Sequence, residues 1–309
     1  MRQRPIILVT GATGAQGGSV ANALLKENKF AVRALTRNSN SARAKELAKA
    51  GAEIVVGTLD DIESLKRAMK GCYGVFGVTN YWEHFETEYF HGKNLIEAVH
   101  QSGIKHFVFS TSRSYNKLSN GAFPVACCDI KNELQEYTKR LSIPATFIHV
   151  ALYYENFLNS FAPHMGDDGH YFFGFPQGHT NLSMVSVEDI GGMVTSIFDY
   201  PDEYIGRIAG IVGEDRRCAE YASIMSKVLG RTILYKHIPR DEYAAYNICG
   251  AEDVANMFEV QRLYVPNRKT ELLETYGLNP ATQSFECWLK KNKEKFEVFF
   301  IKEEGVMAA

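Results

Sequence analysis

Long apolar runs are missing from this 309-residue chain. No segment approaches the roughly 20 consecutive apolar residues that a membrane-spanning helix needs. The opening run at 5–10, "PIILVT", is too short for a signal-peptide core and reads as a strand. The C-terminal "KEEGVMAA" carries no prenylation or retention signal. The expectation is a protein with no membrane partner, cytoplasmic and with the nucleus as a further compartment.

Cysteine patterning is absent too. None of the six cysteines (Cys72, Cys127, Cys128, Cys218, Cys249 and Cys287) forms a C-x-x-C pair or a zinc spacing. That speaks against a disulfide framework and a cysteine zinc site, no metal is expected, and the adjacent Cys127 and Cys128 read as ordinary residues at a helix entrance. Charge of one sign is also lacking. With 34 basic and 36 acidic residues the formal net charge is -2, so nothing draws the chain to nucleic acid at long range. No helix-turn-helix, zinc motif or basic stripe is visible, and direct nucleic-acid binding is not expected. No repeat, low-complexity tract or linker interrupts the chain. Its second half should therefore pack on its first.

What is there is a regular rhythm. Strand-like runs at 5–10, 30–36, 53–57, 73–79, 105–112 and 144–150 alternate with amphipathic segments, among them 16–27, 86–102 and 129–141. Near-continuous apolar strands joined by helices call for a doubly wound α/β sheet covered on both faces. We expect a nucleotide-binding Rossmann domain over 1–155, with a later segment, about 183–212, a candidate to return to it. A smaller, mainly helical domain over 156–309 is expected on the substrate or partner side. The Gly-, Pro- and aromatic-rich 161–186 reads as loops and short strands, and "HYFFGFPQGH" is a candidate cap over an apolar substrate.

"TGATGAQGG" follows the first strand and opens the first helix. Gly11, Gly14 and Gly17 are spaced to turn tightly, admit a pyrophosphate to the backbone, and let helix and strand approach. At the end of the second strand an NAD-binding chain offers a carboxylate; here stand "LTRN" and Arg37. A guanidinium suits a 2′-phosphate, through charge-assisted bonds worth roughly 1.5–3 kcal/mol each. NADP is thus the expected cofactor. Thr58, after the third strand, should lie near the adenine, and Thr79, Asn80 and Tyr81, after the fourth, should line the crevice.

"TGATGAQGGSVANALL", "VRALTRN", "GVTNYWE", "YYENF" and "GAEDVANMFEV" together resemble the NmrA-like proteins, an atypical branch of the short-chain dehydrogenase/reductase superfamily. The resemblance covers nearly the whole chain. It implies NADP(H) binding. Several members are redox-sensing regulators that act through partner proteins and a change in dimer state, and others in the branch are NADPH-dependent reductases. It further implies that Gly11, Ala12, Thr13, Gly14, Ala15 and Gln16 hold the pyrophosphate, Arg37 the 2′-phosphate and Lys131 the nicotinamide ribose. Tyr153, Tyr154, Glu155 and Asn156 would lie beside the nicotinamide. A lysine that animal members offer to the cofactor is replaced here by Phe90, with Lys93 a turn later.

Ordinary short-chain dehydrogenases place tyrosine four residues before the lysine, on the same helix face. Four before Lys131 stands Cys127. Lys131 therefore has three readings: a cofactor clamp, a lone general acid or base, or a solvated helix lysine. Ser110 or Ser112 is a counterpart for the family's serine, and Tyr115 or Tyr153 a substitute for its tyrosine. The leading expectation is an NADP(H)-binding redox sensor, monomeric or homodimeric, that acts on a regulatory protein partner. The alternative is an NADPH-dependent reductase of a small quinone, carbonyl or phenolic substrate, with Lys131 as its catalytic residue.

Overall fold

The computed structural model describes residues 4–265 and 267–300; the C-terminal tail read above for targeting signals lies outside them. The apolar runs of the first half become β1 (Ile6–Val9), β2 (Ala31–Thr36), β3 (Glu53–Val56), β4 (Gly74–Gly77), β5 (His106–Thr111) and β6 (Ala145–Val150). Between them run α1 (Ala15–Glu27), α2 (Ala42–Lys49), α3 (Ile62–Met69), α4 (Tyr81–His84), α5 (Glu88–Gln101), α6 (Tyr115–Leu118) and α7 (Ala126–Arg140). The remaining strands are β7 (Leu152–Tyr153), β8 (His164–Met165), β9 (Tyr171–Phe175), β10 (Asn181–Val185), β11 (Ile208–Ile211), β12 (Glu214–Arg217) and β13 (Ile233–His237). The remaining helices are α8 (Val187–Asp199), α9 (Pro201–Tyr204), α10 (Cys218–Leu229), α11 (Arg240–Ala244), α12 (Ala251–Tyr264), α13 (Lys269–Leu278) and α14 (Phe285–Phe296).

The main sheet has seven strands in the order β11-β6-β5-β4-β1-β2-β3, all parallel. It is the doubly wound sheet expected, with β11 added late in the chain. Along β1, Ile7 and Val9 face the α1 and α8 side with Val20, Leu24 and Ile197. Leu8 faces the other layer with Leu65, Leu95 and Phe107. Burial on both faces is why these strands read as unbroken apolar runs rather than alternating ones. α8 lies so close to α1 that a Cβ on Gly191 would stand 2.2 Å from the Ser19 carbonyl oxygen. The strand order reverses between β1 and β4, which opens a crevice at the carboxyl ends of the strands.

Two details differ from expectation. α7 begins at Ala126 rather than at 129: the Asp129 carboxylate accepts the Val125 N–H at 2.8 Å, and the Asp253 carboxylate accepts the Ala126 N–H at 3.3 Å. The second contact comes from α12 and cannot be read locally. Pro201 opens α9 directly after α8. "HYFFGFPQGH" does not cap a cavity: Tyr171, Phe173 and Phe175 point into a second, aromatic core with Tyr221, Phe258, Phe285 and Trp288. The Phe175 and Phe258 rings stack at 4.3 Å. His170 and His179 stay at the surface.

Candidate functional site

The loop after β1 is shaped by its glycines. Gly11 has φ +58, where a Cβ would also meet Val78, and a Cβ on Gly17 would stand 2.2 Å from the Gly11 carbonyl oxygen. The Gly14 N–H closes the turn on that oxygen at 2.8 Å. α1 then starts at Ala15 with no side-chain cap and no acidic residue in its first turn. Its terminal amides and the positive end of its dipole are left for an anion.

These residues open onto a cavity of about 600 Å³ at the strand ends, the size of a cofactor site. Gly11, Thr13, Gly14, Ala15, Gln16 and Gly17 line it, as do Arg37, Thr58, Thr79, Asn80, Tyr81, Lys131 and Tyr153. Ser110, Ser112, Cys127 and Cys128 line it as well. The Gln16 amide nitrogen donates to the Tyr153 hydroxyl at 2.5 Å, while its oxygen is buried without a partner. The free amides at the start of α1 and the tight glycine turn fit a dinucleotide phosphate, and the Gln16 oxygen, which has no donor among the described residues, fits a hydroxyl of the same ligand. A larger groove, about 850 Å³, runs along the outer side of α1 beside α8 and meets Lys26, Glu27 and Asp199; no strand end opens into it.

Four of the expected residues sit elsewhere. Ala12 is buried in the core beneath the loop. Tyr154 is fully buried in the aromatic core. Glu155 turns to the start of α8, where it accepts the Val187 N–H at 3.1 Å, the Ser186 hydroxyl at 3.0 Å and the Trp288 indole N–H at 3.0 Å. Asn156 lies in the 3₁₀ turn Tyr154–Leu158, outside the cavity lining. Phe90 is 62% exposed, and the Lys93 ammonium sits over the Tyr137 ring. Neither replaces the lysine contact of the animal members.

Lys131 is held from below. Its ammonium donates to the Thr79 hydroxyl at 3.0 Å, to the Thr79 carbonyl at 3.3 Å and to the Glu88 carboxylate. Thr79 in turn donates to Glu88 at 2.6 Å, and Glu88 is wholly buried. An ammonium has three N–H bonds, and three acceptors take them. The solvated-lysine reading is thus excluded. Glu88 was not among the expected residues: in "HFETEYFHG" it reads as one more acidic residue in a first helical turn.

The thiols beside Lys131 are unequal. Their sulfurs are 3.8 Å apart. Hydrogen bonding from Cys127, then Ser112 and the Lys131 charge, hold Cys128 below the usual thiol range against the opposing effect of burial. The same contact with Cys128, and burial, push Cys127 up. Burial pushes Tyr81 up to about 12, with help from Asp253, whose carboxylate accepts its hydroxyl at 3.3 Å. Tyr153 is raised by burial, and so is Tyr115.

At the other end of the cavity Arg37 meets a carboxylate after all. Its Nη2 lies 2.7 Å from Glu83 Oε1, and Glu83 Oε2 accepts from the Asn80 amide at 3.2 Å. The second strand has no acid at its tip; α4, the short helix after β4, delivers one. Next to it His91 pairs with Asp60 and packs edge-on against His84.

Known proteins share this architecture. The chain is 32% identical over 246 residues to an NmrA-like family domain-containing protein of Dictyostelium discoideum, covering 77% of this chain and 82% of that one. It is 31% identical over 278 residues to the NmrA-like family domain-containing oxidoreductase FrzB of Cladobotryum, covering 82% of each. Its fold matches crystal structures of NmrA, a negative transcriptional regulator, with a TM-score of 0.80, 22% identity and 98% of both chains covered. NmrA has been crystallised with NAD and with NADP. The NmrA-like family model matches residues 3–286, and with this loop, sheet order and crevice the chain belongs to the NmrA-like family.

Proposed function

We propose that this protein is an NADP(H)-binding regulator, in which nucleotide occupancy alters contacts to a protein partner or a second copy of the chain. The observation that carries this reading is Lys131. Its hydrogens are committed to Glu88 and Thr79, and Cys127 stands where a dehydrogenase keeps tyrosine. The hydroxyls nearby are poor proton carriers near neutrality, since burial raises both Tyr81 and Tyr153. General acid–base work favours a group whose pKa lies near the working pH.

Bound NADPH supplies a hydride where a substrate is present, and otherwise a ligand whose redox state the protein can read. The Gly11–Gly17 loop and the start of α1 would hold its pyrophosphate. Arg37 would hold the 2′-phosphate, and Lys131, kept in place by Glu88, would orient the nicotinamide ribose by exchanging one of its two Thr79 contacts for a ribose hydroxyl. Tyr81 ties this crevice to α12 through Asp253, so occupancy can bias the 79–92 segment between two states. Control of transcription, and presence in the nucleus, would follow from the partner.

A reductase of a small quinone, carbonyl or phenolic compound is the second reading. Cys128 favours it, as a thiol held below its ordinary range one turn before Lys131. The relatives named oxidoreductases also support it. Sedimentation velocity and limited proteolysis with and without NADPH, beside a turnover assay on a quinone and dicarbonyl panel, separate the two. A regulator changes association state or cleavage pattern and turns nothing over. Unchanged sedimentation and cleavage, with turnover that Cys128→Ser removes, would overturn the first reading in favour of the second.

A further inference from the structure

Glu83 brings a carboxylate to the guanidinium at the end of the second strand. It forms an ion pair with Arg37 at 2.7 Å and accepts from Asn80 at 3.2 Å. Both partners line the cavity. The Arg37 and Glu83 side chains are 62% and 45% exposed, and an exposed pair of this kind adds little to stability and is easily exchanged for another partner. In this arrangement Glu83 occupies the guanidinium that the proposed function assigns to the 2′-phosphate.

Two consequences follow from charge alone. A phosphate monoester carries about -1.5 to -2 charges near neutrality, so it must displace Glu83 from Arg37 or share the guanidinium against like-charge repulsion. A ribose without that phosphate presents a hydroxyl donor, which a carboxylate accepts, as the strand-tip acid does in NAD-binding folds. We propose that Glu83 sets the cofactor preference of this protein: it competes with the 2′-phosphate for Arg37 and supports the unphosphorylated ribose. It thereby narrows the preference for NADP(H) over NAD(H) that Arg37 alone would impose. This rests on the reading that the cavity holds a nicotinamide dinucleotide.

The exchange has a built-in reporter. Trp82 precedes Glu83, and its ring fills the space beside Gly250 at the start of α12, where a Cβ would lie 2.5 Å from the ring. Trp82 is 48% exposed, whereas the other tryptophan of the chain, Trp288, is buried. A displacement of α4 on release of Glu83 from Arg37 would press Trp82 against that glycine and be read in its emission.

The test is titration of the full-length protein and its Glu83→Gln, Arg37→Gln and doubly substituted variants with NADPH and NADH, followed by calorimetry and by tryptophan fluorescence. Removing the competing charge is expected to tighten NADPH about threefold to tenfold and to weaken NADH. The gain for NADPH should vanish when Arg37 is already Gln, and Trp82 emission should shift on NADPH binding. If the parent binds NADPH and the NADPH-to-NADH affinity ratio is unchanged in Glu83→Gln, this inference is overturned alone. If the parent binds neither nucleotide, the proposed function falls with it.

Discussion

Lys131 is legible in the sequence as a residue of interest, but its environment decides what it can do. Removing it does more than remove a clamp, because Glu88 would be left as a buried carboxylate with no counter-charge. Breaking one side of such a pair costs roughly 3–5 kcal/mol. Lys131→Met should therefore lower the urea midpoint sharply, and Lys131→Met with Glu88→Leu should regain most of the loss. A single-variant cost under about 1 kcal/mol, the scale of an exposed pair, would place the pair in solvent and free Lys131 for chemistry. The cycle also guards the enzymology: loss of turnover in Lys131→Met alone does not separate chemistry from unfolding.

At the scale of elements, helix starts carry much of the architecture. α1 is left uncapped and faces the cavity, whereas α7 and α8 are capped by distant carboxylates, Asp253 and Glu155. "YYENF" resembles a nicotinamide-side motif, yet Glu155 binds the start of α8 and the Trp288 indole. Burial raises its pKa while the Val187, Ser186 and Trp288 donors oppose that rise. Glu155→Ala strands those donors and should cost at least about 2 kcal/mol, read as a lower melting temperature. Affinity for NADPH should stay that of the parent protein. A large loss of affinity in a variant that melts normally would return Glu155 to the cofactor site.

For the whole molecule, acid stability turns on two histidines buried in the main sheet. His106 bonds Thr146 at 2.8 Å and His149 bonds Gln135 at 2.8 Å. Burial holds His106 down to about 4. Burial, aided by Arg113 and Arg268, holds His149 down to about 3. An unfolded histidine titrates near 6.5. As the pH falls through 6.5 the unfolded chain takes up protons that the folded chain refuses, so stability is lost progressively towards the folded values. The loss is roughly 1.4 kcal/mol per pH unit for each group. Glu155 and Asp189, raised by burial, act in the opposite sense in the carboxylate range. Urea midpoints should drop between pH 7 and pH 5, and His149→Gln should flatten that drop. A midpoint unchanged over this window would show that neither histidine is buried neutral.

The parallel sheet, the tight glycine turn after β1 and the place of Lys131 are legible in the chain's own pattern. Each is written in local terms: unbroken apolar runs where two faces are covered, glycines where a Cβ would strike a carbonyl, and a lysine near the entrance of a helix. The partners of these groups come from the packing of distant segments. Glu83 reaches Arg37 across 46 positions, Glu88 reaches Lys131 across 43, and Asp253 reaches Ala126 across 127. The aromatic segment 170–179 looked like a lid until β9 took Phe173 and Phe175 inward. Local patterning says which face of an element is apolar. It does not say which distant carboxylate a cation will meet, because that depends on how β-strand order and helix packing bring chain-distant loops to one rim.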